Sequence, residues 1–284
     1  MTYEPLLFTD FSRNMVLSKD LDPVYVAAKH SLPDPDQRDR WLLAYGLFYH
    51  IGAASYFSEF QEERFWDLVA AAALNEQSTP VGGRWPRASE RRHFRGQFAV
   101  RCVEELRTRH PRPETFMEGM ISHAPDVRAV RGYVESHTGF GGWASFKFAD
   151  LVDRVVGRPV EFDTDTAFYD TPIKGAHLLY RERFPESVEV SNQTAVSHAV
   201  EVMGAEMLGL MAPPFGDRPI ALNELETCLC KFKSHIKGRY PIGKDLHEGL
   251  EMTSKWRKVS CTAEEFHQTY RDMMFEARAG GWMQ

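Results

Sequence analysis

With 284 residues and 43% apolar content, the chain can bury a large core in one big domain or two helical lobes. Its net charge of −6 argues against bulk attraction to nucleic acid. Cys102, Cys228, Cys230 and Cys261 are too few and too irregularly spaced for a disulfide framework and read as reduced thiols. No apolar run reaches the roughly 18 residues of a membrane span. The start MTYEPLLFTDFSRNM lacks the basic and apolar regions of a secretory signal, so a soluble cytoplasmic protein is expected.

In chain order, Asp22 and Pro23 form an N-cap and N1 pair opening VYVAAKHSL. Apolar residues at helical spacing then run from Gln37 to about Glu59 and from Glu62 to Asn75. The aromatic face WLLAYGLFYHIGAASYF reads as core rather than as a base-stacking surface. Further helices are expected over 89–109, 113–122, 126–136, 143–156, 166–184, 191–210, 222–237 and 262–278. The intervening loops are short and rich in Pro and Gly. Alternating β-branched runs are scarce, so the expected class is all-α.

Charge is segregated along this chain. Nine arginines against three glutamates lie between Arg84 and Arg112, and a second basic cluster gathers Lys231, Lys233, Lys237, Arg239 and Lys244. If 89–109 is one helix, Arg91, Arg92 and Arg95 share a face and can converge with Arg84 on one diphosphate or on the DNA backbone. A solvated helix face is the alternative. The Cys228–Cys230 spacing has no second ligand pair nearby, so no metal site is expected there.

The segment from Asp126 to about Gly157 reads as helix, glycine hairpin and second helix, followed by a Gly-Arg-Pro turn and an apolar step into two aspartates. Gly139, Gly141 and Gly142, after Thr138, permit positive φ and leave the amides of the following helix open to a phosphate, or to a monovalent cation bridging to one. Asp163 stands 22 residues after Gly141 in the step F-D-T-D-T. By position, Asp165 is a good cap for the helix that follows.

This order, G-F-G at 139–141 followed by F-D-T-D-T at 162–166, resembles the helix-hairpin-helix DNA glycosylase superfamily. RRHFRG at 91–96, GFGGW at 139–143 and ETCLCKFKSHIKGRYPIGKDL at 226–246 narrow the resemblance to its amino acid:DNA transferase branch, the α-glutamyl/putrescinyl-thymine pyrophosphorylases of bacteriophages. The resemblance implies a single all-α, glycosylase-like domain over 1–284, two helical lobes around a cleft, with the hairpin element at about 126–157. It also implies a substrate: double-stranded DNA carrying 5-pyrophosphoryloxymethyluracil, from which pyrophosphate is displaced by the amine of a free amino acid or polyamine. Asp163 matches the superfamily's catalytic aspartate. Ser145 stands where the strand-cleaving members carry lysine, which argues against Schiff-base cleavage.

Chemistry assigns the remaining candidates. The incoming amine must lose a proton, which Asp163, Asp165 or Glu226 can accept. Cys230, flanked by Lys231 and Lys233 and one helical turn after Glu226, is the thiol for transient addition at ring C6; a structural cysteine is the alternative. A base lifted from the stack needs ring surfaces, for which Trp85, Trp143 and Tyr240 are available, and Lys244 can address a phosphate or a carboxylate. No cofactor is required, although Mg²⁺ on the pyrophosphate or a monovalent cation at the hairpin is chemically compatible. Two rivals share these features: a monofunctional glycosylase attacking at C1′, and a non-catalytic DNA-binding module.

Overall fold

The computed structural model describes residues 4–186 and 189–283. Among the described residues there are fifteen α-helices and no strand, the all-α class expected from the sequence. In chain order they are α1 (Phe8–Leu17), α2 (Pro23–Ser31), α3 (Pro35–Phe48), α4 (Ile51–Ser58), α5 (Glu62–Leu74), α6 (Gly96–Arg109), α7 (Glu114–Ile121) and α8 (Val127–Glu135). There follow α9 (Gly142–Leu151), α10 (Thr164–Ala167), α11 (Asp170–Arg183), α12 (Asn192–Glu206), α13 (Leu222–His235), α14 (Lys244–Ser254) and α15 (Cys261–Ala279). The chain forms two compact units. One comprises the segment ending at Val26, Phe162–His247 and the segment from Asp272 onward; the other comprises Ala27–Glu161 and Glu248–Arg271.

The first unit is organised on α13, against which α1, α10, α11 and α12 pack. Its apolar residues Leu225, Cys228, Leu229 and Phe232 recur at three- and four-residue spacing and are buried. Phe8 and Phe11 of α1 close on Phe232 with ring centroids 5.2 and 5.7 Å away. The approach of α11 depends on Gly175, where a Cβ would lie 2.1 Å from the Leu229 carbonyl oxygen. Neither α1 nor α14 is expected from the sequence. Helix α1 follows Leu7, which offers no side-chain cap, and its first amide, that of Phe8, is held by Glu182 from far along the chain, at 3.1 Å to Oε2.

In the second unit, α3–α4, α5–α6, α3–α7 and α8–α9 are packed neighbours. Trp41, Phe48, Phe57, Phe65, Trp66, Phe116 and Phe146 are fully buried, so the aromatic face of 41–57 is core, as expected. Parallel pairing of Asp126 with Glu161, with the Glu161 amide donating to Pro125 at 2.9 Å, closes the ends of the segment containing α8 and α9.

Three expected helices are corrected. The run 37–59 is two helices, because Tyr49 adopts φ 52° and His50 caps α4 by accepting the Ala53 amide at Nδ1. The run 89–109 becomes a short 3₁₀ turn at Ser89–Arg91, then irregular chain, with α6 starting only at Gly96. Arg95 is the extended residue before α6, so Arg91, Arg92 and Arg95 do not share a helix face. The run 166–184 is split, and the cap is Asp163 rather than Asp165: its Oδ1 accepts the Thr166 amide at 2.8 Å while Thr166 Oγ1 accepts the Asp163 amide at 2.9 Å. Asp165 is exposed in the first turn of α10.

Candidate active site and phosphate-facing surface

Of the three glycines expected to shape the turn between α8 and α9, only Gly139 adopts positive φ. Gly139 has φ 92°, and a Cβ there would come within 2.9 Å of Cys102 Sγ on α6, so only glycine fits. Gly141 precedes α9 as an N-cap with no side-chain bond, and Gly142 opens the helix; both are exposed. Thr138 is exposed and its amide donates to Glu105 at 3.5 Å. That contact, chiefly through the Thr138 hydroxyl, holds the Glu105 carboxyl below its ordinary range. Ser145 is fully buried: its hydroxyl donates to Glu135 at 2.5 Å and accepts from Arg131 Nε at 3.2 Å. A lysine ammonium at that position could donate to Glu135 but offers Arg131 Nε no acceptor in place of the hydroxyl.

Arg91 lies beneath the turn instead of facing outward with Arg92 and Arg95. It is 7% exposed; Nε donates to the Leu47 carbonyl and Nη1 to the Gly139 carbonyl, each at 3.0 Å. Its guanidinium carbon stands 4.8 Å from the Phe94 ring centre and 5.4 Å from that of Phe140. Burial lowers its pKa to about 10, which leaves it cationic at neutral pH. A monovalent ion on the Gly139 oxygen would stand roughly 4 Å from this guanidinium, where like charges repel by about 4 kcal/mol at an effective dielectric of about 20. The turn therefore does not fit a cation at that carbonyl.

Beside it in sequence, a depression of about 350 Å³ is lined by Asn75, Arg84, Trp85, Pro86, Arg87, Arg92 and Arg95. Three of the four arginines expected to bind phosphate meet here, together with Arg87 from the same basic run. Arg87 is anchored by donating to the carbonyls of Ala72, at 3.1 Å, and Phe94. Burial, and then Arg95 close by, lowers its pKa. Arg84, Arg92 and Arg95 are exposed, and no carboxylate among the described residues pairs with them. Trp85 is 5% exposed and stacks on Phe57 at 5.0 Å. It is therefore a wall of the depression, not a free stacking surface. Trp143, half-buried, packs edge-on to Tyr49 at 4.9 Å.

The proton-transfer and thiol candidates all lie in the first unit, where α10, capped by Asp163, packs against α13, which carries Glu226 and Cys230. Glu226 is 1% exposed and accepts from the Thr227 hydroxyl at 3.2 Å. Cys230 is half-buried. Cys228 is fully buried, and burial pushes its thiol up to about 12, so it stays protonated.

The second basic cluster is turned inward at Lys231, and Tyr240 beside it is buried as well, both against expectation. Lys231 donates to the Asp20 carbonyl at 2.7 Å and to the Leu21 carbonyl, and pairs with Asp245 at 2.8 Å. Burial pushes its ammonium down, but Asp245, Asp22 and Asp20 more than offset this and hold it above its ordinary value. Its charge is thus engaged away from any outer phosphate. Tyr240 is buried and donates to Asp20 Oδ2 at 3.0 Å, so its ring is not available for stacking a base. Asp20, absent from the sequence expectations, also accepts the Gly243 and Leu246 amides at 2.8 and 3.0 Å. Burial, opposed by Lys231, pushes its carboxyl up to about 6. Lys233 is half-buried, and Lys244 lies over the Tyr240 ring at 5.7 Å. Among the described residues there is no group of three or more His, Cys, Asp or Glu side chains placed to hold a metal ion. None of their helices is long and apolar enough to cross a membrane.

An all-helical chain with an open glycine turn and a depression of unneutralised arginines has the makings of an enzyme directed at DNA, and comparison with known proteins gives the class as transferase. A sequence model described as amino acid:DNA transferase matches residues 21–241, and the chain belongs to that family. It is 39% identical over 281 residues to a glycinyltransferase of Pseudomonas phage PaMx11, covering 94% of this chain and 96% of that protein. It is 28% identical over 250 residues to a putrescinyltransferase of Delftia phage PhiW-14, covering 86% of this chain and 76% of that one.

Proposed function

We propose that this enzyme joins the amine of an amino acid, glycine by analogy with the 39%-identical relative, to the 5-methylene of pyrophosphorylated 5-hydroxymethyluracil in double-stranded DNA, in the cytoplasm of a phage-infected cell. The observation that carries the reading is the depression where Arg84, Arg92 and Arg95 stand without carboxylate partners beside the anchored Arg87. Breaking the C–O bond at the base methylene leaves the electron pair on the departing diphosphate, and fixed guanidiniums stabilise that charge as it develops. Family membership supports transfer over glycosidic cleavage, and the buried Ser145 supports the absence of a Schiff-base step.

In this mechanism the 138–142 turn and the start of α9, a helix-hairpin-helix grip, take a backbone phosphate on their amides. The target base leaves the stack at a cost of a few kcal/mol. Transient addition of the Cys230 thiolate at ring C6 turns the exocyclic carbon into an electrophile as pyrophosphate leaves. The amine nitrogen then forms the C–N bond, and the proton it loses passes to Asp163, with Glu226 as the second acceptor on α13. Elimination of the thiolate restores the ring. Any Mg²⁺ would ride on the substrate's phosphates.

The test is incubation of purified protein with DNA carrying 5-pyrophosphoryloxymethyluracil and a mixture of amino acids and polyamines, followed by digestion to nucleosides and mass spectrometry. The expected product is a nucleoside heavier by one amine, with pyrophosphate released. Appearance of the free base would replace the proposal with glycosylase chemistry, and absence of either product with every donor would refute it.

A further inference from the structure

We propose that the guanidinium of Arg91, and not a bound metal ion, is the cation that holds the 138–142 turn in its DNA-gripping shape. The inference rests on the reading that this turn contacts DNA. Arg91 reaches the turn from the opposite side to the solvent: it is 7% exposed, whereas Arg92 and Arg95 on either side of Phe94 are exposed. Its two arms tie separate elements together. Nε donates to Leu47 in the last turn of α3, a carbonyl that the helix itself leaves available, and Nη1 donates to Gly139.

The guanidinium adds a second constraint through two aromatic rings. It lies over the rings of Phe94 and Phe140, and Phe140 is itself the residue between the two glycines of the turn. Gly139 is meanwhile pressed against Cys102 so closely that no side chain fits. One carbonyl and one ring of the turn are thus fixed by a single buried positive charge, and a metal ion at the same carbonyl would face that charge. Lysine could supply the charge but not the two-armed geometry or the stacking. Arg91 is accordingly a positioning residue: it acts on DNA through the turn and touches no phosphate.

Two measurements test this. The first is affinity of the wild-type protein for duplex DNA at one ionic strength in potassium, sodium and tetramethylammonium chloride, the last too bulky to sit among backbone carbonyls. Affinities within about twofold of one another are expected if counterion release alone sets the salt effect. Tenfold weaker binding in tetramethylammonium would overturn the proposal in favour of a bound metal. The second is hydrogen exchange in Arg91→Lys. Amides of 139–144 should exchange at least tenfold faster than in wild type while those of α5 do not change, and DNA affinity should fall tenfold. Wild-type exchange over 139–144 in this variant would refute the proposal. If the wild type binds no DNA in any salt, the DNA-contact reading fails, and the exchange result still decides whether Arg91 holds the turn.

Discussion

Replacing Arg84, Arg92 and Arg95 together by alanine separates the two things their depression can do. All three are exposed and none is paired with a carboxylate among the described residues, so loss of stability should stay within about 0.5 kcal/mol for surface positions of this kind. If they contact backbone phosphates, each contributes a slope of about −0.9 to log K against log salt, so the triple variant should lose about 2.7 from the slope. Between 50 and 200 mM salt a slope of 2.7 corresponds to about 40-fold in affinity, a difference readable by fluorescence anisotropy on a labelled duplex. If instead they hold the departing diphosphate, DNA affinity stays near wild type and kcat falls by about 10²–10³ for the loss of such donors. Either result fits charge stabilisation by this surface, and the slope-to-kcat ratio says which phosphate is held. A triple variant with wild-type salt slope and wild-type kcat would refute the reasoning and make the depression a merely solvated surface.

Asp163 caps α10, and asparagine can cap equally well; Asp163→Asn should therefore unfold within about 0.5 kcal/mol of wild type yet lose turnover, whereas Asp163→Ala should also lose about 1 kcal/mol of stability. Equal turnover of Asp163→Asn and wild type would remove this residue from the chemistry. His110 and His137 share an Nε2–Nε2 hydrogen bond of 2.8 Å just before the glycine turn. Burial first, with His137 and then Arg109 adding to it, lowers His110 from 6.5 to about 4, and burial also lowers His137. In this window the unfolded chain binds more protons, so the contribution of His110 is complete above pH 6.5 and is lost as pH falls toward about 4, by up to about 1.4 kcal/mol per pH unit, and the lowered His137 acts in the same direction. Urea midpoints at pH 7 and 5 should fall less in His110→Asn than in wild type, and an equal fall would exclude the pair. Ser145→Lys should gain no strand-cleaving activity and should lose at least about 2 kcal/mol, because a bulky cation enters a full site and Glu135 and Arg131 lose their shared hydroxyl. A stable variant that nicks abasic DNA would contradict both statements.

Helix type was legible wherever an amphipathic pattern ran unbroken, as over α5, α8 and α13, and at α8 the Asp126 cap marked the start as well. It was misread where a break depends on residues with no breaker chemistry. Nothing in Tyr49-His50 announces a chain reversal: neither is Gly or Pro, and the cap is a histidine nitrogen whose role is visible only with Ala53 in place. The arginine run failed for a related reason. RRHFRG has helical composition, but Gly96 at φ 64° admits the chain into α6 from an extended approach, and Arg91 is drawn down to two carbonyls that belong to α3 and the turn. Local propensity was outweighed by a buried guanidinium with two acceptors.

The two basic clusters look alike as one-dimensional charge, and their difference lies in what distant chain brings to them. Lys231 and Tyr240 are claimed by Asp20, more than two hundred residues away, whose carboxylate and carbonyl together with Asp245 complete a buried network. No such acid reaches Arg84, Arg92 or Arg95 among the described residues. The chain is acidic overall, so leaving three neighbouring arginines unneutralised costs mutual repulsion that internal carboxylates could have relieved, as they do at Lys231. Retained repulsion of that kind is what an anion of high charge density relieves on binding, and a diphosphate or a DNA backbone is such an anion. A sequence reader can therefore rank basic clusters by asking which has an acid able to fold back onto it, but only the three-dimensional partner list answers the question.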